Sequence, residues 1–416
     1  MRIAIVANDT RGGTQPYVAL GLGLKAAGHD VQMVAPADFA SMFAEAGLPL
    51  APLSGSVEAA LRNSDGAAER GAWASMRFVA RELPAHLENW TRETYAACAG
   101  AEIITGGVGG MVVGLAVAEK LGVPFVEAHL QPVRAPSADY PGVMFSGTPR
   151  WLGGWAMRLS HHLSEQAIWL PFRGAMNKVR ERVLGLKGTA RPVGPSPVLY
   201  GFSPRVVALP QSNDRVRMAT GYWFLPSTPS WQPPPSLTGF LARSGPVISI
   251  GFGSMSSDDP QKLTDLVLGA IRKAGVRAVL LSGWGGLASA SENSDVLIAD
   301  ALPHDWLFPR MAATVHHGGA GTTGAALRAG VPQVIVPFTM DQPFWASRVK
   351  ALGVGPAPIS RKVLSETRLA DALQQALNQP RIREHARELG AQIRQEEGVA
   401  IAVRAYERLA SQAKLD

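Results

Sequence analysis

The chain has 416 residues, 46% hydrophobic and 18% charged, so it is apolar enough for sizeable cores and too apolar for disorder. At roughly 150 residues per domain the length argues for two or three domains, with two the natural reading. A single cysteine, Cys98, excludes a disulfide scaffold or a thiolate zinc site and fits a reducing compartment, while 40 Lys and Arg against 33 Asp and Glu leave a net charge of +7.

The apolar run after Met1 and Arg2 is shorter than the roughly 7–15 residues of a secretory core, and no stretch approaches about 18 uncharged apolar residues. A cytoplasmic protein is the expectation. Residues 3–7 predict a buried strand, 16–27 a helix stopped by Gly28, 31–35 a strand, and 39–46 a helix stopped by Gly47. Residues 103–105, 111–121 and 124–127 repeat strand, helix and strand. This alternation predicts a parallel sheet covered on both faces, an α/β fold.

From about residue 130 to 200 the pattern loses regularity. Residues 150–191 hold Arg150, Arg158, Arg173, Lys178, Arg180, Arg182, Lys187 and Arg191 against only Glu165 and Glu181. Tyr140, Phe145, Trp151, Trp155, Trp169 and Phe172 lie in or beside the same stretch. Three readings stay open: a helical hairpin with a solvated basic face, contact with an anionic membrane surface, or single-stranded nucleic acid. His161 and His162 are adjacent on a predicted helix and point apart, so they predict surface positions and no metal pair.

Residues 222–236 carry Pro226, Pro229, Pro233, Pro234 and Pro235, which excludes a central strand or helix and predicts a linker. The alternation then restarts, with strands at 247–250, 277–281, 296–298, 314–316 and 333–337 and helices at 261–274 and 323–330. Residues 381–414 predict one charged amphipathic helix or two. The resulting division is a first domain 1–221, a proline-rich linker 222–240, a second domain 241–395, and a terminal helix 396–416 placed to pack back on the first domain.

The richest chemistry lies at 301–349. A strand ends at His316 and His317, the small residues Gly318, Gly319, Ala320 and Gly321 follow, and Thr322 and Thr323 open a helix. Free N–H groups at a helix start, close backbone approach at glycine, and a histidine donor predict a diphosphate site at the carboxyl end of a parallel sheet. A plain tight turn with a threonine cap is the simpler alternative. A second small-residue loop at 251–255 offers Ser254 to the same phosphates. Asp341 beside Gln342 suits the adjacent hydroxyls of a sugar.

Residues 301–349, with the loop 251–255 and the opening 10–20, closely resemble family 1 glycosyltransferases, nearest to the sterol glucosyltransferase-like and antibiotic-glycosylating branch. The resemblance implies the GT-B architecture: two Rossmann-like doubly wound domains facing a cleft, acceptor in the first, donor in the second. It implies a donor site of Ser254, Trp284, Leu302, His317, Gly319, Ala320, Gly321, Thr322, Asp341 and Gln342. It further implies an acceptor pocket with Thr14, Tyr140, Phe145 and Trp151, suited to a sterol, polyketide or phenolic compound. The implied reaction is an inverting, metal-independent transfer of a hexose from a UDP- or dTDP-sugar, with no cofactor beyond that co-substrate.

Two positions depart from the branch. Its opening loop usually carries a catalytic Asp where this chain has Gly13, and just before the Asp-Gln pair the branch usually has Gly where this chain has Met340. Asp9, at the tip of the first strand, is the leading replacement base; His129 is the second, with Glu127 and Asp139 farther off. The competing readings are a catalytically weak relative that serves as a binding partner, and a sugar-nucleotide epimerase. Nucleic acid is not an expected partner, since no recognition helix or stacking sheet motif is present. Peripheral membrane contact and the oligomeric state stay open.

Overall fold

The computed structural model describes residues 1–55, 81–189, 196–210, 217–228, 230–253, 259–282 and 295–413. They fall into two compact units. The first takes the described residues of 1–63, 76–225 and 396–416, the second those of 226–395. The division at Leu225 falls inside the proline-rich stretch.

In the first unit seven strands form one parallel sheet: β1 (Arg2–Val6), β2 (Asp30–Pro36), β3 (Leu50–Leu53), β4 (Ile103–Gly106), β5 (Phe125–His129), β6 (Val198–Tyr200) and β7 (Arg217–Ala219). Their order is β3-β2-β1-β4-β5-β6-β7. The strand order reverses between β1 and β4, where Val6 pairs with Gly106. Helices α1 (Arg11–Ala26), α2 (Ala40–Glu45), α3 (Leu87–Ala97), α4 (Val108–Leu121) and α5 (Gly154–Val179) connect the strands. Ala4, Val6 and Ile104 pack against Met111, Leu115 and Val117 of α4 and Trp169 and Met176 of α5.

α1 starts at Arg11, five residues before the predicted start. Gly12, Gly13 and Pro16 disfavour a helix locally, but Tyr17, Val18, Leu20 and Leu24 are buried on the sheet and tertiary packing overrides propensity. Gly13 is therefore a first-turn helical residue rather than part of a loop.

The second unit has a five-stranded parallel sheet: β8 (Val247–Gly251), β9 (Arg277–Leu281), β10 (Val296–Ala299), β11 (Ala313–His316) and β12 (Gln333–Ile335), ordered β10-β9-β8-β11-β12. It carries α6 (Pro235–Ala242), α7 (Pro260–Ala274), α8 (His304–Leu307), α9 (Ala320–Ala329), α10 (Gln342–Ala351), α11 (Glu366–Asn378) and α12 (Pro380–Arg394). One apolar layer packs α7 and α11 on the sheet, and a second packs α6, Leu307 and Phe308 on the other side. Here the strand order reverses between β8 and β11, and His316 pairs with Gly251.

The last helix, α13 (Gly398–Ala413), belongs to the first unit. Its buried Tyr406 hydroxyl lies 2.6 Å from Thr105 Oγ1, and Ser203 Oγ donates to Glu396 Oε1 at 2.6 Å just ahead of the helix. The charged segment at 381–414 is thus two helices, one on each unit.

Candidate active site

Open α/β sheets bind ligands outside the strand carboxyl ends where the strand order reverses. In the second unit that point carries Gly253 and residues 316–319. His316 is fully buried and fixes the loop. Its Nδ1 accepts from the Gly318 amide at 3.0 Å, so its Nε2 carries the proton and donates to Gln333 Oε1 at 3.0 Å. In the sequence the one signal for this role of His316 is the doubled histidine.

His317 lies between two glycines. A Cβ built on Gly253 would stand 2.9 Å from its Cε1, and one on Gly319 2.5 Å from its Nε2. Any side chain at either position would displace the imidazole. Its buried Nδ1 has no hydrogen-bond partner among the described residues, and neither has Thr323 Oγ1 in the first turn of α9. α9 starts at Ala320, three residues earlier than predicted, with Gly319 as its N-cap. The first-turn amides of Ala320, Gly321 and Thr322 lie at the positive end of the helix dipole. A neutral histidine N–H, a helix start and uncommitted buried polar atoms suit a group with several anionic oxygens.

Burial pushes His316 down to about 3 and His317 down to about 4 from the ordinary 6.5, so both are neutral at neutral pH. Below pH 6.5 the unfolded chain takes up protons that the folded loop refuses. Stability is full above 6.5 and falls with falling pH toward about 4, by up to about 1.4 kcal/mol per pH unit for each histidine. Urea unfolding at pH 7 and pH 5 is expected to show this loss, with a shallower dependence in His317→Asn.

Asp341 precedes α10, and its Oδ2 accepts from the indole of buried Trp345 at 2.9 Å, which fixes the carboxylate. Gln342 differs from expectation. It is buried, and its Oε1 accepts from the amides of Phe338 and Thr339 at 2.7 and 3.1 Å. Its carbonyl holds the loop and is not available to a sugar. Met340, where the branch has Gly, adopts φ 56°, in the left-handed region that favours glycine. Met340→Gly is expected to stabilise the chain by about 0.5–1 kcal/mol, read as a rise in Tm. Leu302 is half-buried against the α6 layer. Ser254 and Trp284 lie outside the described residues.

In the first unit the reversal point carries Asp9, α1 and the start of α4. Asp9 Oδ1 accepts from the Thr10 amide at 2.6 Å. A Cβ built on Gly13 would lie 2.5 Å from Asp9 Oδ2 and 2.6 Å from Oδ1. The Asp9 carboxylate thus occupies the space where a side chain at position 13 would begin, the position that carries the branch's carboxylate. Gly109 and Gly110 let α4 approach the Asn8 and Val6 carbonyls, a closeness that any Cβ would block. The run Gly106, Gly107, Gly109, Gly110 was the overlooked signal for this packing.

The remaining expected site residues sort differently. Thr14 is fully buried, and its hydroxyl donates back to the Ala7 and Asp9 carbonyls, so it braces the Asp9 turn instead of facing an acceptor. His129 is fully buried, with Nε2 2.8 Å from Glu127 Oε2, whose other oxygen accepts from Arg134 Nη1 at 2.6 Å. Fully buried in this cluster, His129 is closed off from an external hydroxyl. Tyr140 is buried edge-on to His161, and His161 is itself buried with Nε2 3.0 Å from the Tyr140 carbonyl, not on the surface as expected. Phe145 is half-buried on a short turn and Trp151 is exposed. Arg180 does not belong to a solvated basic face: it is buried and pairs twice with Glu119.

Comparisons with known proteins agree with this architecture. The described folds match, over 99% of both chains, the spinosyn forosaminyltransferase SpnP (TM-score 0.69, 17% identity). They also match the glycosyltransferase SnogD from Streptomyces nogalater (TM-score 0.64, 24% identity, 98% of this chain and 99% of that one). By fold the chain is a GT-B protein. Residues 287–400 match the family of the erythromycin biosynthesis protein CIII-like C-terminal domain. The chain is 34% identical, over its whole length, to the sterol 3-beta-glucosyltransferase of Aspergillus clavatus, and 35% over 98% of its length to that of Aspergillus fumigatus. It spans 30% of the length of each of these curated relatives. The resemblance to family 1 glycosyltransferases, in the sterol glucosyltransferase-like and antibiotic branch, is thereby borne out.

Proposed function

We propose that the chain is an inverting, metal-independent glycosyltransferase that moves a hexose from a UDP- or dTDP-sugar to a hydroxyl of a small apolar acceptor of the sterol, polyketide or phenol class. The observation that carries this reading is the loop 316–319 leading into α9, with His317 held between Gly253 and Gly319. The sterol-glucosylating relatives support a sterol as the first acceptor to try.

In this reading the donor diphosphate meets the amides of Ala320, Gly321 and Thr322 and the His317 N–H. Asp341 accepts from sugar hydroxyls, and the backbone at Leu302 meets the base. The acceptor oxygen bonds to the anomeric carbon as the bond to the diphosphate breaks, and the Asp9 carboxylate takes the acceptor proton. Attack opposite the leaving group inverts the configuration. The helix start and His317 stabilise charge that grows on the departing diphosphate. The test is a mass-spectrometric screen of UDP- and dTDP-hexoses against sterols and phenols with purified protein. The reading expects a new glycoside mass that persists in EDTA; a donor that is epimerised without transfer would refute it.

A further inference from the structure

α5 has one face packed into the first unit through Ala156, Met157, Ser160 and Ser164. The opposite face is apolar and open to solvent. Trp155, Leu159, Leu163 and Leu170 are 65%, 46%, 44% and 54% exposed, and Trp151 just ahead of the helix is 83% exposed. Steps of four, four and seven residues align the four helical positions in one stripe. Soluble surfaces rarely leave such a run of large apolar side chains uncovered unless it meets a partner.

The charge around the stripe is mainly positive, with exposed Asp139 beside Arg150 as an acid at its head. Arg158 and Arg173 are exposed on the helix and Arg150 precedes it. The one acid of α5, Glu165, is half-buried on the flank, where burial pushes its carboxyl up against the opposing pull of Arg134. A second copy of the chain meeting this face across a two-fold axis would set arginine against arginine. Tryptophans with leucines and arginines instead match the interface of a bilayer, where indoles sit at headgroup level and cations meet anionic lipid. No helix among the described residues is long and apolar enough to cross a membrane, so the contact would lie in the plane.

We infer that the exposed face of α5, with Trp151 and Trp155 at its head, docks the chain on the surface of an anionic lipid bilayer. The inference does not rest on the donor chemistry, because its assay contains no sugar. The full chain is sedimented with phosphatidylcholine vesicles, with or without phosphatidylserine, at low and high salt. The wild type pellets with the anionic vesicles at low salt and is released by high salt. Trp151→Ser/Trp155→Ser lowers the partition coefficient about tenfold or more, and Arg158→Gln/Arg173→Gln lowers it on the order of tenfold on anionic vesicles only, with Tm unchanged in both. The inference is overturned if the wild type stays in the supernatant with anionic vesicles, or if both variants bind as well as it does. It is equally overturned if the tryptophan pair governs dimerisation in sedimentation velocity and leaves vesicle binding untouched.

Discussion

Asp9→Asn is expected to lower kcat by about 10²–10⁴-fold, with the KM for the donor little changed. The amide keeps the size of the side chain but cannot take the acceptor proton. The stronger form of this expectation concerns Gly13. A methyl there would stand 2.5 Å from Asp9 Oδ2, in space that the carboxylate fills. Gly13→Ala should therefore displace the base and reduce kcat by an amount approaching that of Asp9→Asn. Alanine favours a helix over glycine by about 0.5–1 kcal/mol, so the same variant should melt no lower than the wild type. Loss of turnover without loss of stability separates a displaced base from a damaged fold. The exchange Asp9→Gly/Gly13→Asp returns a carboxylate to the position where the related branch carries one and is expected to recover part of the activity. If Asp9→Asn keeps the wild-type rate and pH profile, Asp9 is not the base.

His317→Ala is expected to reduce kcat/KM by about 10–10²-fold, within or just below the range for loss of one preorganised donor to a developing negative charge. The loss should be nearly constant across neutral pH, because burial keeps the imidazole neutral down to about 4. A histidine acting as a cation would lose its effect through the neutral range instead. Gly319→Ala gives a companion result. Its Cβ would lie 2.5 Å from His317 Nε2, so it should weaken turnover although the histidine itself remains. Wild-type turnover in His317→Ala would remove this residue from the donor site.

The parts of the fold legible in the sequence are those with a strong local signal. β1 and β8 are continuous apolar runs between turn residues, and α7 has a clear apolar stripe with Asp259 accepting from the Lys262 amide as a cap. β6 and β7 were not legible, because three residues carry no period. The start of α1 was obscured by Gly12, Gly13 and Pro16, which lower its local helix propensity.

The site was legible where chemistry and spacing coincide, as in the glycines around His317. It was not legible where a polar side chain serves the backbone. Thr14 and Gln342 have the composition of ligand-binding residues, but their oxygens are spent on the turns that carry Asp9 and Asp341. Gly13 misled in the opposite sense. Its identity reads as a lost base, whereas the Asp9 carboxylate fills the space where a side chain there would begin. Only coordinates distinguish the two, since nothing in the spacing of residues 9 and 13 shows which side chain occupies the shared volume.

Transfer of a hexose with Asp9 as base can be read from the products themselves. The most direct measurement is product analysis by mass spectrometry for wild type and Asp9→Asn, each incubated with UDP-glucose or a dTDP-hexose and a hydroxysterol. The expected product is acceptor plus one hexosyl group with one nucleoside diphosphate released per product, and at least about a hundredfold less of it from Asp9→Asn. Glycoside formed equally well by the variant, or no glycoside from any donor and acceptor of these classes, would contradict it.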